Sequence, residues 1–286
     1  MPIAVTAFFE PKTFSVSYVA ADLSARRCVV IDPVLDYEAR SGRTGTRFAQ
    51  GIVDFVRRSE LSVDWVLETH IHADHLTATP FICRELGGRT GIGNKVPVVQ
   101  RTFGALFNAG PAFATDGSQF DHLFGDGEQF AVGTITASVM HTPGHTPACS
   151  SYLIGDALFV GDTMFMPDYG TARCDFPGGD ARALYASIRR LLALPAATRI
   201  FVGHDYGPAG RPFTWETTVG AQRNENKHVR DGIDEASFVA QRQARDKELS
   251  LPDLILPAVQ VNMRAGRLPP AESNGRVYLK IPLDSL

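Results

Sequence analysis

The segment Thr69-His70-Ile71-His72-Ala73-Asp74-His75 (THIHADH) is the strongest signal in the sequence, because it contains four potential metal ligands within six residues. His70 and His72 are two positions apart, so on extended backbone their side chains point the same way. The apolar segment Asp64 to Glu68 (DWVLE) comes directly before the stretch and is predicted to be a buried strand. A solvated loop with Asp74 as a helix cap is the alternative. The favoured interpretation is a metal site at a strand end, rigidly held and open on one side.

Three further segments place a histidine or an aspartate at the end of a predicted strand. Alone, each is a weak signal, because His145 or Asp162 could be a turn residue and His204 a core histidine. Their order along the chain, after THIHADH, predicts that they converge on the same site. The segments are Thr142-Pro143-Gly144-His145-Thr146, Gly161-Asp162-Thr163 and Gly203-His204-Asp205.

The hydrophobic pattern predicts an α/β sandwich with loops at the strand ends. Strands are predicted at Ser15–Ala20, Cys28–Ile31, Ala157–Val160 and Arg199–Val202, with a strand-rich segment from Phe120 to Tyr152. Helices are predicted at Arg47–Ser59, from Leu76 onward, at Asp180–Leu194 and near Glu235–Leu249. We expect one domain over residues 1–286, with a carboxy-terminal extension from about residue 207.

The composition excludes several classes of protein. The 286 residues are 44% hydrophobic and 21% charged, with a net charge of −3, which is typical of a soluble globular protein. The sequence has no surplus of basic residues that would predict nucleic-acid binding. It also has no long apolar run or leader that would predict a membrane span or export. The four cysteines are scattered without a CxxC pair, which predicts no disulfide framework and favours the cytoplasm.

The series HxHxDH, TPGHT, GD and GH resembles the metal-binding pattern of the metallo-β-lactamase superfamily, over roughly Val16 to Tyr206. This resemblance implies the αββα sandwich of that superfamily. It also implies two possible metal positions. His70, His72 and His145 would hold one metal, and Asp74, His75 and His204 a second, with Asp162 as a bridge.

Four stretches resemble the persulfide dioxygenases, in particular the bacterial stand-alone type. They are Ala73-Asp74-His75, Arg173-Cys174-Asp175-Phe176, His204-Asp205-Tyr206 and Asn262-Met263-Arg264. The resemblance implies one Fe(II) per chain, held by the set His70, His145 and Asp162. Two imidazoles and one carboxylate are the facial triad of non-haem iron oxygenases.

The same resemblance implies oxidation of glutathione persulfide by O2 and water to sulfite and glutathione. Arg173 and Tyr206 would bind the substrate, and the protein would be a homodimer. His72, Asp74, His75 and His204 would then surround the iron without binding it.

The sequence departs from the persulfide dioxygenases at two points, and two alternative functions stay open. Ala265 stands where the mitochondrial type has a cysteine, and the loop between Asp162 and Arg173 is about two residues longer. Because all seven ligand residues are present, a glyoxalase II-like di-metal hydroxyacylglutathione hydrolase is an alternative, and so is a non-catalytic metal-binding module. His141 is predicted to be structural, and His122 and His228 have no motif support, although His228 could face the substrate.

Overall fold

Two six-stranded β-sheets form the centre of the protein in the computed structural model, which describes residues 2–285. The strands are β1 Ala4–Glu10, β2 Ser15–Asp22, β3 Arg27–Ile31, β4 Val34–Glu38, β5 Arg43–Gly45, β6 Ser62–Leu67, β7 Leu76–Thr77, β8 Arg89–Gly93, β9 His122–Phe124, β10 Gln129–Val132, β11 Ile135–His141, β12 Ser150–Ile154, β13 Ala157–Phe159, β14 Arg199–Phe201 and β15 Glu216–Thr218. The helices are α1 Arg47–Arg58, α2 Thr79–Leu86, α3 Val96–Leu106, α4 Ala181–Leu191, α5 Val219–Glu225, α6 Glu235–Asp246 and α7 Ile255–Asn262.

The first sheet has the order β1-β2-β3-β6-β8-β9, and the second has the order β10-β11-β12-β13-β14-β15. In the first, β3, β6, β8 and β9 run parallel; in the second, β13 and β14 do. A small third sheet pairs β4 with β5 and β7. Because parallel strands end at the same edge, the loops after β3, β6, β13 and β14 can meet at one place.

The core lies between the two sheets, and the helices cover their outer faces. Tyr18 and Leu67 of the first sheet share an apolar cluster with Tyr152 and Phe159 of the second. On the outer side of the first sheet, buried residues of α1 and α2 pack against β2 and β3. On the outer side of the second sheet, α4 and α6 pack against β13 and β14. The layers are therefore αββα, which confirms the predicted fold class.

Most predicted elements are present with bounds shifted by a few residues. Helix α4 begins after Asp180, whose carboxylate accepts a hydrogen bond from the backbone N–H of Ala183 at 2.8 Å and so caps the helix. It ends at Leu191, and α6 ends at Asp246, both earlier than predicted.

The prediction of a helix directly from Leu76 is wrong. Leu76 and Thr77 form strand β7, which pairs with Val34 and Leu35, and α2 begins only at Thr79. Leu76 is fully buried in this position, so packing against the small sheet keeps the backbone extended there. Among residues 2–285, none of the helices has the length and apolar character needed to cross a bilayer.

Candidate metal centre

Three of the predicted ligands form a compact, buried set at the strand ends. His70 follows β6, His145 lies in the loop between β11 and β12, and Asp162 follows β13. Oδ2 of Asp162 lies 3.8 Å from Nε2 of His70 and 3.7 Å from Nε2 of His145. One ligand atom from each residue lies within 4.8 Å of the other two. The triad predicted from sequence is thus brought together.

The second nitrogen of each triad histidine is already engaged. Nδ1 of His145 donates to the backbone carbonyl of Arg173 at 2.8 Å. Nδ1 of His70 lies 3.0 Å from the hydroxyl oxygen of Thr69, and that hydroxyl donates to Asp32 at 2.8 Å. The hydroxyl therefore accepts from the His70 ring. Both bonds place the proton on Nδ1 and leave the Nε2 lone pair facing the site, as metal-binding histidines require.

Glycines allow the ligand loops to approach one another closely. Gly161 has φ +49°, and a Cβ there would lie 2.4 Å from the hydroxyl oxygen of Thr69. A Cβ on Gly203 would lie 2.7 Å from Oδ1 of Asp162. Both contacts are shorter than real Cβ contacts, so these two positions admit only glycine without a shift of their neighbours.

The buried polar atoms of the site fit a bound cation. Nε2 of His70, Nε2 of His75 and Oδ1 of Asp162 are buried without a hydrogen-bond partner among residues 2–285. Each such atom costs about 1–3 kcal/mol when it is left unsatisfied, so several at one place indicate a ligand. Burial, followed by the neighbouring His72 and His145, holds the pKa of His70 well below its usual value, so this imidazole is neutral and able to coordinate.

The other four motif residues, His72, Asp74, His75 and His204, lie beside the triad. They do not form the second-metal set of Asp74, His75 and His204 that the resemblance implied. One ligand atom each from His72, Asp74 and His75 forms a second close group, and His204 is outside it. Nε2 of His204 instead lies between two carboxylates, 3.4 Å from Oδ1 of Asp162 and 3.5 Å from Oδ2 of Asp74.

His72 lies close to two carboxylates outside the triad. Its Nε2 lies 3.0 Å from Oδ1 of Asp32 and 3.4 Å from Oε2 of Glu68. Burial lowers the pKa of His72, but these carboxylates outweigh burial and raise it well above its usual value. Glu68 also accepts from the hydroxyls of Thr77 and Thr79. Sequence reasoning missed Asp32 and Glu68, although both are acidic residues at predicted strand ends, the signal used for Asp162.

A cavity of about 630 Å³ opens onto the metal centre. His145, Asp162 and His204 line it, together with Tyr206 and Arg173. A volume of roughly 300–1,000 Å³ is typical of sites for small ligands. The structure therefore brings both predicted substrate residues to the cavity that His145 and Asp162 of the triad line.

Tyr206 and Arg173 differ in what they can offer a ligand. Burial, then Asp162 and Asp74, raises the pKa of Tyr206 well above its usual value, so its hydroxyl keeps its proton and can donate. The guanidinium of Arg173 donates to the carboxylate of Asp175 at 2.6 and 2.7 Å and to the carbonyl of Ser250 at 2.6 Å. Arg173 is thus engaged within the protein, and its substrate contact stays a prediction.

Lys227 is a cation of the cavity wall that sequence reasoning did not single out. Its ammonium lies 5.2 Å from the ring centroid of Tyr169 and has no ion pair within residues 2–285. It is exposed at the cavity and therefore available to an anionic ligand. His228, next along the chain, also lines the cavity and accepts a hydrogen bond from the backbone N–H of Thr171 at 3.1 Å.

The cysteines have no part in the centre. Burial raises the pKa of Cys28 and of Cys149 to about 12, and that of Cys83 to about 11. These thiols stay protonated at neutral pH, so they are poor nucleophiles and poor metal ligands.

Relatives of known name and structure cover almost all of the chain. A probable metallo-hydrolase of Burkholderia pseudomallei is 53% identical over 99% of this chain and 100% of its own length. Glyoxylase B2 of Dictyostelium discoideum is 45% identical over 99% and 97%. The mitochondrial persulfide dioxygenase ETHE1 of Mus musculus is 28% identical over 94% and 92%.

Structural similarity indicates the same group of proteins. The crystal structure of ETHE1 from Myxococcus xanthus superimposes with a TM-score of 0.73 and 27% identity, over 93% of this chain and 100% of that one. The sequence profile of the metallo-β-lactamase superfamily matches residues 11–204, which include the triad and the four neighbouring motif residues. With the αββα layers and the ligand loops at one edge of the sandwich, this match shows that the chain belongs to the metallo-β-lactamase superfamily.

Proposed function

We propose that the protein is a glutathione persulfide dioxygenase that uses one Fe(II) per chain. The observation that carries the proposal is the closed set of two imidazoles and one carboxylate, with His72 outside it. A facial triad leaves three octahedral positions free, which is the arrangement of non-haem iron oxygenases. The likeness to persulfide dioxygenases in sequence and structure supports the same function.

Iron bound there would supply the redox chemistry that O2 and a persulfide sulfur require, which zinc cannot supply. The protein's own residues would hold and orient the reactants. Tyr206 offers a protonated hydroxyl at the cavity wall, and Lys227 offers a positive charge for a substrate carboxylate. His204, whose Nε2 lies 3.4 Å from Oδ1 of Asp162 and 3.5 Å from Oδ2 of Asp74, would help to orient the Asp162 carboxylate.

A di-metal hydrolase of the glyoxalase II kind is the second candidate. The close group of His72, Asp74 and His75 is the observation in its favour, because it could hold a second cation. The 45% identity to glyoxylase B2 of Dictyostelium discoideum supports it as well. Against it, the second group lacks His204.

One experiment separates the two candidates. The protein is purified anaerobically, its metals are counted, and it is assayed with glutathione persulfide and with a glutathione thioester. About one iron per chain, with O2 uptake and sulfite release from the persulfide, is the expected result. Two metals per chain with thioester hydrolysis and no O2 uptake would show that the hydrolase is correct. The homodimer, the extension from about residue 207 and the cytoplasmic location stay predictions.

A further inference from the structure

Asn262 connects the carboxy-terminal helix to the metal-binding loop. Its side-chain Nδ2 donates to the backbone carbonyls of His72 and His75, at 2.9 and 2.7 Å. Its Oδ1 accepts from the backbone N–H of Thr77 at 2.9 Å. These bonds fix the amide orientation, because the reversed amide would bring its oxygen against two carbonyl oxygens. Asn262 is only 2% exposed, so water cannot replace them.

The three bonds span the segment that presents the second ligand group. The two carbonyls lie on either side of Asp74, and His72, Asp74 and His75 make up that group. The backbone turns there from the end of β6 into β7. A turn of this kind has few backbone partners of its own, so an outside residue that binds both of its sides determines its shape.

The packing of α7 makes Asn262 a rigid support. Ala258 and Val261 of the helix are fully buried against Leu76. Beyond the helix, Gly266 has φ +80°, and a Cβ there would lie 2.5 Å from Cδ of Pro80. The helix end and the chain after it are therefore packed tightly against the elements that follow the metal-binding loop.

We propose that Asn262 is a positioning residue for the metal centre. It holds the His72–His75 turn in register with the triad, although it lies outside the part of the chain that matches the family profile. The inference does not depend on the reaction, because both candidate functions need this turn. Residues that orient ligands typically change metal affinity or activity by about 10–100-fold when they are removed.

Gln260 provides a matched control in the same helix. It is 3% exposed and also makes three hydrogen bonds, to the carbonyls of Leu256 and Lys280 at 2.7 and 2.9 Å and from the N–H of Lys280 at 2.8 Å. None of these bonds reaches the metal-binding loop. Loss of Gln260 therefore removes a comparable number of bonds from α7 without touching the site.

The test compares Asn262→Ala and Gln260→Ala in the full-length protein. Metal affinity is measured by chelator competition with Co(II), the visible spectrum of the Co(II) protein is recorded, and thermal unfolding is followed. We expect both variants to lose thermal stability. Only Asn262→Ala should bind Co(II) about 10–100-fold more weakly, with a changed spectrum.

Two results would overturn the proposal. One is an Asn262→Ala protein with wild-type Co(II) affinity and spectrum, and the other is a Gln260→Ala protein that shows the same changes. If Asn262→Ala does not fold, Asn262→Asp carries the test. It has the same size and keeps the acceptor for Thr77, but it cannot donate to the two carbonyls, so the same weakening is expected.

Discussion

Single side chains of the centre are prepared for a metal before one binds. His145 and His70 have their outer ring nitrogens engaged by the carbonyl of Arg173 and the hydroxyl of Thr69. Their inner nitrogens and the Asp162 carboxylate therefore face one point without further rearrangement. Such preorganisation lowers the entropy cost of binding and makes each ligand hard to replace.

Removal of one triad ligand should abolish metal binding and activity. His70→Ala, His145→Ala and Asp162→Ala are each expected to lose most bound iron, because a three-ligand site has no spare donor. His122→Ala is the control, since His122 pairs with Glu128 at the surface. Metal analysis of the purified proteins gives the answer. Full iron occupancy in any of the three triad variants would contradict the assignment.

The neighbouring histidines should give a different result. His72→Ala, His75→Ala and His204→Ala are expected to keep substantial iron and to be about 10–100-fold slower, because they orient the site without binding the metal. Metal content and turnover are measured on the same samples. Loss of a second equivalent of metal in these variants would instead support the hydrolase.

Lys227 should contribute to the binding of an anionic substrate. Lys227→Gln is expected to raise the KM for glutathione persulfide by about 1.4- to fivefold with unchanged iron, because an exposed ion pair contributes roughly 0.2–1 kcal/mol. Lys247→Gln, an exposed lysine that does not line this cavity, should leave the KM unchanged. Equal KM values for Lys227→Gln and the wild type would exclude this contact.

Arg173 and Tyr206 carry the substrate prediction made from sequence. Arg173→Ala and Tyr206→Phe are each expected to raise the KM for glutathione persulfide and to keep iron, and the neutral hydroxyl should have the smaller effect. Because Arg173 also holds Ser250 and Asp175, a lower kcat or lower iron content in Arg173→Ala would show a structural role instead. Steady-state kinetics with metal analysis distinguishes the two.

Loops and helices support one another around His145. Gly144, just before this ligand, has φ +142°, and a Cβ there would lie 2.3 Å from Cα of Leu184 in α4. The hydroxyl of Ser187, in the same helix, donates to the carbonyl of Pro143 at 2.7 Å. The Pro-Gly-His turn is therefore fitted onto α4, and the helix fixes where His145 points.

Gly144→Ala should be far more destabilising than an alanine at a glycine with free space. At Gly110, φ is +82° and nothing lies within 4 Å of an added Cβ, so Gly110→Ala should cost only about 1–2 kcal/mol of backbone strain. Gly144→Ala adds a clash with helix backbone to that strain. Urea unfolding of both variants measures the difference, and similar midpoints would contradict the packing described here.

The hydrophobic pattern predicted an α/β sandwich with loops at the strand ends, whereas the αββα layers and the triad were implied by the resemblance to known families. The sequence could not predict β7, because Leu76 and Thr77 are extended only through their pairing with distant Val34 and Leu35. In the sequence, Asn262 stands out only as part of the Asn262-Met263-Arg264 stretch that resembles the persulfide dioxygenases, and its contact with the metal-binding loop was not predicted. Its partners lie nearly two hundred residues earlier in the chain, and no local pattern encodes such a contact.

At the scale of the whole molecule, the metal centre connects the two β-sheets, because its candidate ligands come from both of them. Bound metal should therefore stabilise the entire fold. At a free metal concentration about 100 times Kd, the stabilisation is about 2.7 kcal/mol, or roughly 5–10 °C in Tm for a domain of this size. Calorimetry with and without a chelator measures it. His145→Ala should show no chelator effect, and a chelator-induced loss in that variant would contradict the link.

The support that Asn262 gives the metal-binding loop also bears on how the protein matures. His70 is synthesised before α7, the helix that steadies its loop, which begins at Ile255. Correct coordination thus awaits the synthesis and folding of α7. Whichever divalent ion is available at that moment competes for the site, and zinc binds such ligands more tightly than Fe(II). Production in a zinc-rich medium would then yield correctly folded protein that contains zinc.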